Sequence, residues 1–277
     1  MHNLSVGREY AIVSLLRHIL SDLDRADVRY CVLRDGDRLD QMTDNAEVDF
    51  LVDASHLDKF AQIVTSRGFV RLRSIGHAPH HFFVGHDHNT HERLKLDAVT
   101  ELRFGRRIPT VVTDLGDACL EHRQRLNGIS VPSPEDELLA LLLHCVLDKG
   151  KFTPPRRTRI QGLRHELTAV DYLANQITKY WLPGMTWEQL VDLIDQDEWE
   201  TLLATRSSLE HHLRQHNAFA TMVLHNRGRV LQKVNRVLNT LFPLDAGTTA
   251  SVIHSSGTDS QRINDDHRAM QRGPSPE

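Results

Sequence analysis

Hydrophobic period changes along this chain in an order that few folds accommodate. Ile12, Leu15, Leu16, Ile19 and Leu23 recur at helical spacing, which predicts an amphipathic helix. Val28 to Leu33 is rich in β-branched and aromatic residues, and Val48, Phe50, Leu51 and Val52 make a second short run. Both predict strands. A helix is expected next, with Ser55 and Asp58 as its capping signature, Leu57, Phe60, Ala61 and Val64 as its apolar stripe and Gly68 as its left-handed stop. Three strand-like runs follow at Phe69–Arg73, His81–Val84 and Leu94–Val99. Helix, two strands, helix and three strands is the order of an α+β sheet domain, not of an alternating βαβ array.

At Pro132 the texture turns helical. Ser133 is placed to cap, Pro134 takes the first helical position and Asp136 supplies an acidic third residue. Leu138, Leu139, Leu141, Leu142, Leu143 and Val146 make the helix apolar on nearly every side, which predicts deep burial, and Gly150 ends it. Further helices are predicted at about 163–182, at 187–204 with a capping box of Thr186 and Gln189, and at about 207–241, stopped by Pro243. Beyond Asp245 the composition is Gly, Ser, Thr, Asp and Arg with few apolar anchors. The expected organisation is an α+β domain over 1–131, a helical domain over 132–245 and a disordered tail over 246–277.

With 277 residues the chain can bury one large core or two modest ones. A net charge of −4 gives no global basic field, which argues against bulk nucleic-acid binding. Cys31, Cys119 and Cys145 are odd in number, far apart and set among apolar residues, so they read as reduced core thiols rather than a disulfide framework. The N-terminus shows no basic region followed by an apolar run, and no stretch of about 18 apolar residues occurs. A soluble cytoplasmic protein with no membrane span is expected; the oligomeric state is not encoded in any of these features.

Against this background three acids stand out. Glu47 and Asp49 are two apart on the second predicted strand, so their carboxylates project from one face. Asp97 lies in Leu94-Lys95-Leu96-Asp97-Ala98-Val99, flanked by apolar residues. Two acids on one strand and a third on a nearby strand can hold a pair of divalent cations about 4 Å apart. Hard cations such as Mg²⁺ bind through a few carboxylates plus substrate phosphates. An acid pair at a strand end is also common as a plain solvated edge. What favours a site is the context: a strand and turn before the pair, a capped helix after it and a later apolar strand bearing one acid.

Tyr30-Cys31-Val32-Leu33-Arg34-Asp35, then Glu47-Val48-Asp49-Phe50-Leu51-Val52, then Leu94-Lys95-Leu96-Asp97 resembles the nucleotidyltransferase superfamily, most of all a bacterial branch with a leucine-arginine pair after the first strand. Ser133 to Leu139 followed by His144 is similar to the helical segment after the catalytic sheet there. The resemblance covers roughly residues 8–150. It implies a nucleotidyltransferase-like mixed β-sheet followed by a helical region, two Mg²⁺ ions held by Glu47, Asp49 and Asp97, and transfer of a nucleoside monophosphate from a nucleoside triphosphate to a hydroxyl. A small molecule is the first-ranked acceptor. Asp97 would assist deprotonation of that hydroxyl. Nucleotide contacts are expected from Arg34, Asp35, Gly36 and Lys95. The family usually carries Gly-Ser where this chain has Arg34-Asp35-Gly36; Asp35 adds a negative charge beside the phosphates, and Arg34 supplies a fork-shaped phosphate donor.

Other features compete for attention. His77, His80, His81, His86, His88 and His91 crowd one segment, as a zinc site or as a polar hairpin. Lys149, Lys151, Arg156 and Arg157 are further phosphate candidates, and His144 and Asp148 are one helical turn apart and able to pair. Ser251 to Asp259 looks like the strand and first glycine of a phosphate-binding loop, as in the thymidylate-kinase-like domains that follow such sheets in some bacterial proteins. The loop would need Gly, Lys and Ser or Thr at 262–264, where this chain has Arg262, Ile263 and Asn264. The chain then reads as a truncated or frameshifted relative of a two-domain protein, or the match as chance. The alternative to an enzyme is a catalytically weak nucleotide-binding or partner-binding module.

Overall fold

A computed structural model of the chain describes residues 4–34, 36, 39, 42, 45–72, 79–86, 92–106, 109–181, 184–216, 222–224, 226, 230, 233 and 234. The amphipathic N-terminal pattern forms helix α1 (Leu4–Arg25), which buries Leu16, Ile19, Leu20 and Leu23. Strands β1 (Tyr30–Val32) and β2 (Ala46–Val52) follow and pair antiparallel. Asp53 then accepts from the backbone N–H and the hydroxyl of Ser55, starting a 3-10 turn over Ala54–His56 that runs into α2 (Leu57–Ser66). The cap is thus Asp53 and not the expected Ser55, because the carboxylate two residues earlier reaches the first unpaired N–H of the turn. Phe60, Ala61 and Val64 are buried, and Gly68 leaves the helix at a φ of 87°.

Strands β3 (Val70–Arg71), β4 (His80–His86) and β5 (Arg93–Val99) complete a five-stranded sheet of order β1-β2-β5-β4-β3. Strands β2 and β5 run parallel and the other neighbours antiparallel, so the sheet is mixed, as the α+β reading anticipated. Two ribbons too short to show a period come next. Strand β6 (Arg103–Phe104) pairs with β7 (Val111–Val112), then helix α3 (Leu115–Glu121) precedes the hairpin of β8 (Gln124–Leu126) and β9 (Ile129–Val131). Asn127 and Gly128 both have positive φ, 51° and 83°, which suits the two-residue turn of that hairpin.

From Ser133 onward the described chain is helical. The Ser133 hydroxyl accepts from the Asp136 N–H to cap α4 (Pro134–Leu143), which continues into a π-helical turn over His144–Lys149 and stops at Gly150 with φ 61°. Helices α5 (Pro154–Glu166), α6 (Val170–Tyr180), α7 (Trp187–Asp195), α8 (Trp199–Ala204) and α9 (Arg206–His216) follow. The single helix expected at 163–182 is two helices. Glu135 accepts from the backbone N–H groups of Thr168 and Ala169, holding the chain extended between them. The helix expected at 187–204 also breaks, at Asp197 with φ 57°, although its capping box of Thr186 and Gln189 forms. The expected helix at 207–241 begins at Arg206 and is followed to His216; 222–224, 226, 230, 233 and 234 are again helical. The tail and its Gly257 segment lie outside the described residues.

The sheet is packed on both faces. Beneath it, α1 and α2 bury Phe60, Val64 and Leu23 against Val48, Phe50, Phe83, Leu96 and Ala98, with Phe50, Phe60 and Phe83 meeting edge to face. On the other face Cys31, Leu51 and Val99 join the core of the helices, together with Cys119, Leu138, Leu142, Cys145 and Trp181. All three cysteines are buried and free.

Candidate active site

Strand register brings the three acids together. Along the parallel pair, Glu47 faces Lys95 and Asp49 faces Asp97. Since β4 places Phe82 opposite Asp97, the alternation puts His80, Phe82, Lys95, Asp97, Glu47 and Asp49 on one face of three neighbouring strands. Ligand atoms of Glu47, Asp49 and Asp97 lie within 4.8 Å of one another, the arrangement a metal ion requires of three carboxylates. Glu47 is exposed, Asp49 partly buried and Asp97 buried.

Each acid has a basic partner. Arg34, at the end of β1, brings Nη2 to 2.5 Å from Oδ2 of Asp49. Lys95 brings Nζ to 2.9 Å from Oε1 of Glu47, and its ammonium also sits 4.8 Å from the centre of the Phe82 ring. His80 points Nδ1 at both Asp97 oxygens, at 2.9 and 3.0 Å, and its ring stacks on Phe82. Burial works against the His80 imidazolium, but the hydrogen bonds and charge of Asp97, with Asp49 behind it, outweigh that cost and raise the histidine above its ordinary value.

Asp49 and Asp97 line a cleft of about 140 Å³ whose far wall is built by the helices and the β6 segment, including Leu102, Phe104, Leu141 and His144. His144 donates from Nδ1 to Asp148 at 2.8 Å and receives Arg34 at Nε2, 3.1 Å away. Burial pushes the His144 pKa down, the nearby Arg34 charge adds to that, and Asp148 opposes it without prevailing. Glu137, at the same wall, is held by a two-point pair with Arg159 at 2.7 and 2.6 Å.

The expected site residues therefore divide. Glu47, Asp49, Asp97, Arg34 and Lys95 converge. Gly36 lies apart from them: it lines a second depression with Arg17 and Asn127, where a Cβ would meet the Val131 side chain at 2.5 Å. Asp35 lies outside the described residues, as do His77, His88 and His91. Among the described residues, the expected histidine cluster yields one member to the site, His80, which pairs with Asp97. Arg157 donates from Nε to the Phe152 carbonyl and stacks on Trp199. Lys149 has its pKa lowered by burial and by the charges of Arg156 and Arg34, so it stands in the same electrostatic neighbourhood. His80 could not have been singled out from sequence, because its distance from Asp97 in the chain says nothing until the β4–β5 register is known. His144 and Asp148 did carry a signal, their one-turn spacing.

Among the described residues no helix is long and apolar enough to cross a membrane. No family model matches the chain, and no curated protein matches it. Among solved structures, the solution structure of the antibiotic-resistance factor ANT(2'')-Ia is similar to it at 11% identity and a TM-score of 0.39, over 76% of this chain and 98% of that one.

Proposed function

We propose that the chain is a nucleotidyltransferase that moves a nucleoside monophosphate from a nucleoside triphosphate to a hydroxyl of a small molecule. The observation that carries this reading is the convergence of Glu47, Asp49 and Asp97 within 4.8 Å on adjacent parallel strands, at the mouth of a cleft. Their oxygens are hard donors that suit Mg²⁺, and the partly exposed pairs with Arg34 and Lys95 are exchangeable salt bridges, so the residues present fit the ions. A pair of Mg²⁺ ions bound there would neutralise the triphosphate and favour the attacking alkoxide.

The rest falls to this chain's side chains. Arg34 and Lys95 donate to phosphate oxygens. Asp97 accepts the proton of the acceptor hydroxyl as its oxygen attacks the α-phosphorus; the bond to the β-phosphate oxygen breaks and pyrophosphate leaves. Strands β2 and β5 supply the acids, and Leu141 and His144 of the helical region, with Leu102 and Phe104, the wall that shapes the acceptor side. A cytoplasmic setting would supply both nucleotide and Mg²⁺, and suits three free thiols.

One observation favours a second reading, a nucleotide-binding module with little turnover: every acid of the triad carries its own basic partner, so an incoming cation must compete with Arg34, Lys95 and His80. Incubation with each labelled nucleoside triphosphate and Mg²⁺, with Asp49→Asn as control, separates the two. Pyrophosphate release that the substitution abolishes supports the enzyme. Binding without release supports the module, and absence of binding overturns both.

A further inference from the structure

His144 begins the π-helical turn, and its two ring nitrogens have partners of different kinds. Nε2 lies 3.1 Å from Nη1 of Arg34. A guanidinium offers donors only, so Nε2 must present its lone pair and the ring proton must sit on Nδ1. Asp148 imposes the same tautomer from the other side. Its Oδ1 accepts the Gly105 backbone N–H at 2.6 Å, leaving Oδ2, 2.8 Å from Nδ1, to accept the ring proton. Arg34 is thus held by Nη1 on a neutral histidine and by Nη2 on Asp49, at 2.5 Å.

These two anchors respond differently to a cation at the triad. Asp49 would be drawn to the ion and would release the guanidinium. His144 is set back in the helical wall, and nothing in cation binding displaces it. Resting on the nucleotidyl-transfer reading, we propose that the Asp148–His144 couple is a positioning device: it tethers Arg34 over the cleft when Asp49 is engaged, so that the freed end of the guanidinium faces a phosphate. His144 and Asp148 act through Arg34 and touch no reacting atom.

The substitution Asp148→Asn tests this with almost no change in volume. The Gly105 N–H can only donate, so it takes the carboxamide oxygen, and the carboxamide NH₂ is left facing Nδ1. Nδ1 must then accept, the ring proton moves to Nε2, and a donor opposes the Arg34 donor. Binding of inorganic tripolyphosphate with Mg²⁺, measured by calorimetry on the full chain, reads the phosphate contact without reference to base or acceptor. Histidine ¹⁵N shifts read the tautomer. The expected result is a tautomer switch in Asp148→Asn with about 10-fold weaker tripolyphosphate binding, at least as large a loss in Arg34→Ala, and no further loss when the two are combined. His144→Leu, which needs no tautomer argument, should lose affinity by a similar factor. A switched tautomer with unchanged affinity, unchanged affinity in His144→Leu, or full additivity with Arg34→Ala overturns the tether while leaving the enzyme reading standing. Wild-type protein that binds no tripolyphosphate overturns the nucleotidyl-transfer reading, and the tether falls with it.

Discussion

On the face of the sheet that looks toward α1 and α2, strand β2 presents Val48, Phe50 and Val52 and strand β5 presents Leu94, Leu96 and Ala98, all buried. On the opposite face the same two strands present Glu47, Asp49 and Leu51 beside Lys95, Asp97 and Val99. The first face is apolar throughout. The second passes from apolar to ionic within two steps of about 7 Å each. The difference is one of cover. Cys31, Leu51 and Val99 share the core of the helices, whereas Asp49 and Asp97 line the cleft beside it and Glu47 is exposed. A carboxylate at such a margin must be paired, because desolvation without a partner costs several kcal/mol. Arg34, Lys95 and His80 meet that demand. One face is built for stability, and the other holds charges whose partners can be exchanged.

That contrast can be broken at either face. Phe60 is fully buried between Phe50 and Phe83, so Phe60→Ala should cost about 3–5 kcal/mol and lower the denaturant midpoint sharply; a loss below about 1 kcal/mol would mean this face is loosely packed. Asp49→Asn should do the reverse, cutting pyrophosphate release on the order of 100-fold or more while moving the melting temperature little. A large loss of stability without loss of turnover would reverse the roles given to the two faces. Gly85 offers a finer probe, since an added Cβ would lie 2.5–2.6 Å from the Phe69 ring. Gly85→Ala should destabilise by about 1–3 kcal/mol through overpacking, read in chemical denaturation.

The smallest effect is a pH dependence in the helical wall opposite the ionic face. Burial and Arg34 lower the His144 pKa in the folded state, so the stability it contributes is present above its unfolded value, near 6.5, and is lost as pH falls through the folded value. The melting-temperature advantage of wild type over His144→Gln should therefore shrink as pH is lowered from about 7.5 to 5. A difference that stays constant with pH would show that the imidazole is not held neutral.

Much of this was legible in the residues themselves. The period-two spacing of Glu47 and Asp49, the apolar setting of Asp97 and the order of helices and strands are local properties, and they led to the sheet and to the acids on it. Register is not local. That Asp49 lies opposite Asp97, and that His80 reaches Asp97 from β4, follows from pairings between distant segments that tertiary packing decides. The ribbons at 103–112 and 124–131 have strands of two and three residues, too short for a period to show. The break at 167–169 hides for the opposite reason. Leu163, Leu167 and Val170 keep helical spacing through it, and the interruption comes from a carboxylate reaching over from Glu135. The break at 196–198 does carry a mark, the polar run from Asp195 to Glu198, within which Asp197 takes a positive φ.

The π-helical turn at His144–Lys149 has a consequence for how such a cleft can arise. A turn of this kind is an α-helix that has gained one residue. The extra residue widens the coil locally and shifts everything after it by about 100° around the axis. Deleting one residue within 145–147 would restore the regular helix, leave Asp148 three residues from His144 and still on its side of the coil, and turn the chain that follows by about 100°. A single codon, inserted or lost, therefore leaves the polar couple in place and re-aims the chain beyond it, Gly150 and the start of α5 included.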